Sequence, residues 1–169
     1  MLRPILRFGR EDLHEPARPV AAVDDNVRRL VDDMVETMHQ APGIGLAAPQ
    51  IGVPWRICVI DLSVGKRAGE LLTLINPEFI HREGMQIEDE GCLSVPGFTA
   101  TVVRPRRAIV RALDRQGITR TVEGDGLLAR ALQHELDHLD GKLFLDRLRG
   151  VKRHQIVRRV RKLERAGRW

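Results

Sequence analysis

The first strong pattern in the chain is a helical repeat of apolar residues after position 24. Apolar side chains recur there every three or four positions, which places them on one face of an α-helix: Val27, Leu30, Val31, Met34, Val35 and Met38. Asp24 and Asp25 precede the repeat and are suitable helix N-caps. We predict an amphipathic first helix that ends near Ala41-Pro42-Gly43.

The middle of the chain follows a different pattern, typical of β-strands. Short segments rich in Val, Ile, Leu and Thr are separated by Gly, Pro, Asn or Asp. They lie at residues 56–61, 71–75, 99–103, 108–113 and 118–122. Because the last two are joined by the turn sequence Asp114-Arg115-Gln116-Gly117, we expect at least one antiparallel hairpin.

Two further helices are predicted in the last third of the chain. One follows Asp125-Gly126 and ends at Gly141, and its apolar side consists of Leu127, Leu128, Ala131, Leu132, Leu136 and Leu139. The other begins near Val151, with an apolar stripe of Ile156, Val157, Val160 and Leu163. Strands clustered between helices, without regular βαβ alternation, predict an α+β fold. We expect small, mainly antiparallel sheets around a central helix, with an N-terminal and a C-terminal helix, in a single domain over residues 1–169.

Composition excludes several classes of protein. With 169 residues, 43% apolar and 30% charged, the chain is long enough for one continuous core and is too apolar for wholesale disorder. It has no apolar run of membrane-spanning length and no signal-like start, so we expect a cytoplasmic protein. Two cysteines, Cys58 and Cys92, are too few for a disulfide framework.

The net charge of +5 is concentrated at the C-terminal end. Residues 151–169 contain eight Lys and Arg residues but only one acidic residue, a net of +7, so the rest of the chain carries −2. This basic C-terminal helix could be a solvated surface, or it could contact a polyanion through its cations.

The sequence His134-Glu135-Leu136-Asp137-His138 lies in the predicted second helix and is typical of a metal site. Residues four apart share a helical face, so both imidazoles can bind one ion while Glu135 reaches a water beside it. A catalytic metal usually has three protein ligands. Cys92 is one candidate for the third, although a free cysteine is as often an inert core residue, which is our interpretation of Cys58.

Three segments stand out in the order in which they occur in the chain. They are Gly43-Ile44-Gly45-Leu46-Ala47-Ala48-Pro49-Gln50, then Glu90-Gly91-Cys92-Leu93-Ser94, then Gln133-His134-Glu135-Leu136-Asp137-His138-Leu139. Together they resemble the signature motifs of the peptide deformylase family. The resemblance extends from the first helix to about Leu148. It implies a metal-dependent hydrolase of protein biosynthesis that removes the formyl group from the N-terminal Met of newly made proteins and releases formate.

The resemblance also implies a role for individual residues. Cys92, His134 and His138 would bind one divalent ion, most often Fe²⁺ in this family, with Ni²⁺, Co²⁺ or Zn²⁺ also able to bind. Glu135 would be the general base that takes a proton from the attacking water. The Gln50 side chain and the Leu93 backbone N–H would stabilise the negative charge that develops on the formyl oxygen.

Substrate contacts are expected around the same helix. Leu127, Arg130 and Ala131 precede His134 by seven, four and three residues, so they can line a pocket for the Met side chain. We expect the stem of Arg130 to pack there while its guanidinium reaches water. By family analogy, backbone groups of Ile44 and Gly45 would bind the substrate main chain as an added strand.

Two positions depart from the family pattern. Some relatives have an Arg shortly after the Cys-Leu-Ser-x-Pro segment, and Gly97-Phe98-Thr99 contains none. An apolar pocket residue four positions before the cysteine is replaced by Glu88, which either polarises the mouth of the pocket or faces solvent.

Alternative functions follow from the residues without the resemblance. The helix motif alone also fits a zinc metalloprotease, which would not require Cys92. The basic C-terminal helix alone fits a non-catalytic module that binds RNA or the ribosome. For a deformylase, the expected partners are formyl-Met nascent peptides and, through this helix, the ribosome.

Overall fold

The computed structural model describes residues 1–169. Three α-helices span Asp25–Gln40 (α1), Leu127–Leu139 (α2) and Val151–Arg165 (α3). Seven β-strands span Gly45–Ala47 (β1), Ile57–Ile60 (β2), Leu72–Glu83 (β3), Gln86–Gly91 (β4), Thr99–Arg104 (β5), Arg107–Leu113 (β6) and Thr119–Asp125 (β7). Short 3₁₀ helices span Glu11–His14, Ala48–Ile51 and Phe144–Arg147. The predicted α+β class is confirmed.

A five-stranded antiparallel sheet in the order β1-β2-β3-β6-β7 is covered on both faces. Strand β2 shows this most clearly, because all four of its residues are buried. Ile57 and Val59 pack in the cluster that contains the apolar stripe of α1, whereas Cys58 and Ile60 pack in the cluster that contains α2. Successive strand residues point to opposite faces, so a strand between two helices is apolar throughout. Cys58 is therefore a core residue, as interpreted from the sequence.

The helices begin where the sequence predicts. The Asp24 carboxylate accepts a hydrogen bond from the Val27 N–H at 2.9 Å and caps α1. Helix α2 begins directly after Gly126 and is followed by Gly141, whose φ of +73° is in the left-handed region. A side chain at Gly141 would also meet the backbone oxygen of His14 at 2.5 Å, so glycine is required there for two reasons.

Strand β3 is longer than predicted, because the chain does not leave the sheet at Asn76-Pro77. The pairing register with β6 shifts between Ile75 and Glu78, so that Asn76 and Pro77 are accommodated without ending the strand. Asn76 has a φ of +51°, and its side-chain amide both accepts from the Val20 N–H at 2.7 Å and donates to the Val20 carbonyl at 2.9 Å. Asn76, a residue type typical of turns, is thus held inside a continuous strand by its hydrogen bonds to Val20, 56 residues away in the sequence.

A second, two-stranded sheet of β4 and β5 is built together with the C-terminal helix. Ala100 and Val102 of β5 share a core cluster with Phe144 and with Ile156 and Val160 of α3. Helix α3 is therefore an integral part of the fold and not an appended tail. None of the helices combines the length with the apolar character needed to cross a bilayer.

Candidate active site

The three predicted metal-binding side chains converge. Cys92 directly follows β4, and His134 and His138 lie one turn apart on α2. One donor atom from each lies within 4.8 Å of the other two. The Cys92 Sγ and the His138 Nε2 are 3.2 Å apart. A thiolate with two imidazoles is a donor set for a divalent transition metal, so the residues fit the ion that the motif implies.

The orientation of His134 is fixed by Glu90, a residue quoted within the motif but given no role from the sequence. The His134 Nδ1 and the Glu90 Oε1 are hydrogen-bonded, which turns the opposite ring nitrogen towards the cluster. Burial alone would raise the pKa of Glu90, but hydrogen bonds with Arg104 and His134 hold it well below its ordinary value. Glu90 therefore stays ionised although only 6% of it is exposed.

Glu90 belongs to a buried ion-pair network that the sequence did not reveal. Arg104 of β5 contacts Glu90 at 2.6 Å and Asp137 of α2 at 2.9 Å. Arg147, just before α3, pairs with the same aspartate at 2.6 Å. The network thus connects the cysteine strand, its neighbour, the histidine helix and the approach to the C-terminal helix. The second and third motifs each contain one of the carboxylates, Glu90 and Asp137, but the sequence did not indicate their arginine partners.

The expectation that the Arg130 guanidinium reaches water is wrong. Arg130 is only 4% exposed, and its Nη1 donates to Glu90 at 2.7 Å. Its other nitrogens donate to the Gln86 side chain and to the Val102 carbonyl, both at 3.1 Å. The guanidinium is drawn inward because Glu90 offers it an ionised partner. Arg130 still lines a cavity that opens beside Cys92, His134 and His138.

Glu135 lies beside the cluster with one carboxylate oxygen free. Its Oε2 is buried and has no hydrogen-bond partner, and the residue lines the cavity. Burial is the main reason why the pKa of the Glu135 carboxyl is raised to about 7. A carboxyl group that titrates near neutrality can both accept and return a proton.

Gln50 is held so that its amide nitrogen faces the cluster. Its Oε1 accepts from the Ala47 N–H at 2.9 Å, and its Nε2 donates to the Ser94 Oγ at 3.0 Å. The same nitrogen lies 3.5 Å from the Cys92 Sγ. The N–H of Leu93, the residue that follows Cys92, has no acceptor within the protein. Two donors are thus available close to the metal-binding atoms.

The N-terminal segment supports both loops that carry these donors. The Leu6 N–H donates to the carbonyl of Gln50 at 2.7 Å, and the Phe8 N–H donates to the carbonyl of Ser94 at 2.8 Å. Trp169 donates from its indole N–H to the Phe8 carbonyl at 2.8 Å. Segments from both ends of the described chain therefore fix the loops around the site.

A cavity of about 500 Å³ opens beside the cluster. It is lined by every residue predicted to contact substrate, namely Ile44, Gly45, Leu127, Arg130 and Ala131, together with Gln50, Cys92, Leu93, His134 and Glu135. Glu88 is exposed and lines a neighbouring cavity, so it faces solvent. Asp89 and Phe98 also line the main cavity and were not singled out from the sequence.

Comparison with known proteins decides the family. A family model described as polypeptide deformylase matches residues 2–154. A peptide deformylase of Acidobacterium capsulatum is 51% identical over 169 residues, 100% of this chain and 99% of that protein. A crystal structure of a peptide deformylase from Legionella pneumophila has a TM-score of 0.92 at 45% identity, covering 99% and 98% of the two chains. The chain belongs to the polypeptide deformylase family.

Membership confirms the function expected from the three motifs. The protein is a hydrolase of protein biosynthesis that acts on the formylated N-terminal Met of newly made chains. The family is metal-dependent, and the cluster of Cys92, His134 and His138 is suited to a metal ion. Of the functions that the residues alone left open, the metalloprotease and the non-catalytic module lose their support.

Gly45 provides a sharp test of the site geometry. A Cβ at this position would overlap the Glu135 Oε1, so Gly45→Ala must displace the carboxylate. Because a misplacement of about 1 Å can cost about 10²-fold in rate, we expect kcat for formate release to fall by about that factor. Metal content and the thermal unfolding midpoint should stay close to wild type. A kcat near the wild-type value would contradict the observed contact.

Proposed function

We propose that Glu135, Gln50 and Leu93 are the catalytic residues of the deformylation. The observation that carries this assignment is that Glu135, whose buried Oε2 has no hydrogen-bond partner, lines the same cavity as Cys92 and His134 of the converged cluster. Glu135 takes a proton from the attacking water and passes one to the nitrogen of the departing amine. The Gln50 Nε2 and the Leu93 N–H donate to the formyl oxygen as its carbon becomes tetrahedral.

We propose that Cys92, His134 and His138 bind Fe²⁺ in the cell. When bound, a divalent ion polarises the formyl carbonyl and makes water more nucleophilic. Ni²⁺, Co²⁺ or Zn²⁺ can take the same donor set, since a thiolate and two imidazoles suit all four. The preference for iron rests on the family.

Substrate binding is proposed for two groups of residues. Strand β1 is at an edge of its sheet, so backbone groups near Ile44 and Gly45 can pair with an extended substrate. Leu127, Ala131 and the methylene stem of Arg130 would surround the Met side chain, because the Arg130 guanidinium is bound elsewhere. In a structure of the Synechococcus elongatus relative, which is 38% identical with a TM-score of 0.88, a peptide deformylase is in complex with actinonin. We propose that such a ligand would occupy the corresponding cavity here.

The proposed partner beyond the substrate is the ribosome, and the proposed location is the cytoplasm, where nascent chains are made. Support comes from one face of α3, which carries Arg158, Arg161 and Arg165 in a row beside a surface cavity. Cations in such a row suit phosphate groups of RNA.

Replacing Glu135 tests the general base. We expect Glu135→Ala to keep its metal and its fold, while kcat for a formyl-Met peptide falls by about 10²–10⁴-fold, the usual contribution of such a base. Formate release and metal content are measured on the same sample. Glu15→Ala removes an exposed carboxylate away from the cavity and serves as the control. Near-normal hydrolysis by Glu135→Ala would refute the assignment.

Anaerobic purification tests the identity of the metal. We expect about one iron per chain and high formate release, and we expect both to decline in air because a ferrous thiolate site is open to oxidation. Exchange with Ni²⁺ should preserve activity in air. If the anaerobic protein holds zinc and is fully active, the iron proposal is wrong.

Charge reversal on α3 tests ribosome binding better than truncation, because truncation would remove the buried Ile156 and Val160. We expect Arg161→Glu combined with Arg165→Glu to weaken co-sedimentation with ribosomes at low salt by about tenfold or more and to leave formate release unchanged. Lys142→Glu, on a loop outside α3, is the control. Unchanged co-sedimentation of the double variant would refute the proposal.

A further inference from the structure

A second groove adjoins the active-site cavity on the side of the C-terminal helix. Its volume is about 500 Å³, and it lies between the segment Gly97-Phe98-Thr99 and α3. These three residues line the active-site cavity as well, so the two spaces share a wall. The helix side of the groove carries three cations, Lys152, Arg158 and Arg159.

Two of these cations, Lys152 and Arg159, belong to the groove and not to the row proposed for the ribosome. Both are exposed, and the single salt bridge of α3 joins Arg153 to Asp146 instead. Their charges are therefore not neutralised by the protein. Because unpaired cations beside a concave surface attract anions, the groove favours a negatively charged occupant.

The position of Arg159 is defined by an aromatic wall. Its guanidinium carbon lies 5.6 Å above the centre of the Phe98 ring, a cation–π distance. Phe98 in turn packs edge-on against Trp169, with ring centres 6.0 Å apart. A cation held over a supported ring loses less conformational freedom on binding than a free side chain.

In the proposed binding mode, an extended substrate can continue from the metal cluster towards this groove, because the two cavities share Gly97, Phe98 and Thr99. If its formyl group lies at Cys92 and its main chain pairs near Gly45, an extended chain advances about 3.3 Å per residue along the cavity. The wall beyond Leu93 continues through Pro96 and Gly97 to the shared segment. No Lys or Arg occurs between Cys92 and Thr99, and the cations that line the groove all come from α3. The acidic Asp89 lines the active-site cavity but not the groove, and its carboxylate accepts a hydrogen bond from the Thr101 hydroxyl at 2.7 Å.

We infer that Lys152 and Arg159 form a subsite that favours acidic side chains at the third or fourth residue of the nascent chain. This inference rests on the proposed function, since it places the formyl group at the cluster. The cations act by binding and not in the chemical step. The preference should therefore appear in KM and leave kcat nearly unchanged.

The test uses amidated formyl-Met pentapeptides in which one Glu is moved through positions two to five. Matched peptides carry Gln or Lys at the same position. Because exposed ion pairs are weak, we expect a two- to fivefold higher kcat/KM for Glu than for Gln, about the range of such pairs, at position three or four. At about 0.5 M salt the difference should disappear, since exposed charges are then screened.

Variants assign the preference to the groove. Arg159→Glu and Lys152→Glu should each abolish or invert the preference of Glu over Lys in kcat/KM. Lys142→Glu changes the net charge by the same amount outside the groove and should retain the wild-type preference.

Three results would overturn the inference, and each can be distinguished from a failure of the proposed function because formate release would still be observed. Equal kcat/KM for Glu, Gln and Lys peptides would refute the subsite while leaving deformylation intact. A preference that survives both groove variants would place it elsewhere. If Arg159→Glu weakens ribosome co-sedimentation but not the peptide preference, the groove binds RNA instead. Absence of formate release from every peptide would refute the proposed function itself.

Discussion

The active centre depends on keeping one ionised carboxylate, Glu90, inside the protein. Taking a charge out of water is costly unless its partners surround it, and Glu90 has Arg104, Arg130 and His134 within hydrogen-bonding distance. Each partner comes from a different part of the chain or a different turn of α2. Glu90 can contact all three partners only when β4, β5 and α2 are in their native positions. The need to pair this buried charge therefore favours the native arrangement of these three elements.

Helix α2 has to serve two environments at once. All of its residues from Ala129 to Leu139 are buried. A helix that is buried on every side normally has apolar side chains on every side. One side does pack against the five-stranded sheet through residues such as Leu132 and Leu136. The other side carries the motif, and its polar groups are tolerated because ion pairs, the metal-binding cluster and the cavity receive them. Helix α2 thus packs in the hydrophobic core on one side and supplies active-site residues on the other.

Local features of the fold could be predicted from the sequence, and features that depend on distant partners could not. Helix α1 and the two imidazoles of α2 follow from spacing within a few residues. Strand β4 was missed because Glu88, Asp89 and Glu90 are poor strand formers, and it forms only because β5 pairs with it. Cys92 lies 42 residues before His134 in the sequence, so spacing left its role open and the family motif supplied it.

The same distinction explains the error at Arg130. Its position on the cavity side of α2 followed from helical periodicity, but the direction of its guanidinium depended on a buried carboxylate 40 residues away. The charged ends of Lys and Arg side chains generally extend to solvent. The Arg130 guanidinium does not, because the buried carboxylate of Glu90 binds it inside the protein.

The backbone contacts of Leu6 and Phe8 have a consequence for local unfolding. Proteins open in cooperative units, and a segment that supplies hydrogen bonds to a loop opens together with that loop. Detachment of residues 6–8 would release the carbonyls of Gln50 and Ser94 and loosen the loops that carry the Gln50 and Leu93 donors. Exchange of the Leu6 and Phe8 amide hydrogens, which are the donors in these two bonds, should therefore be governed by one shared opening event.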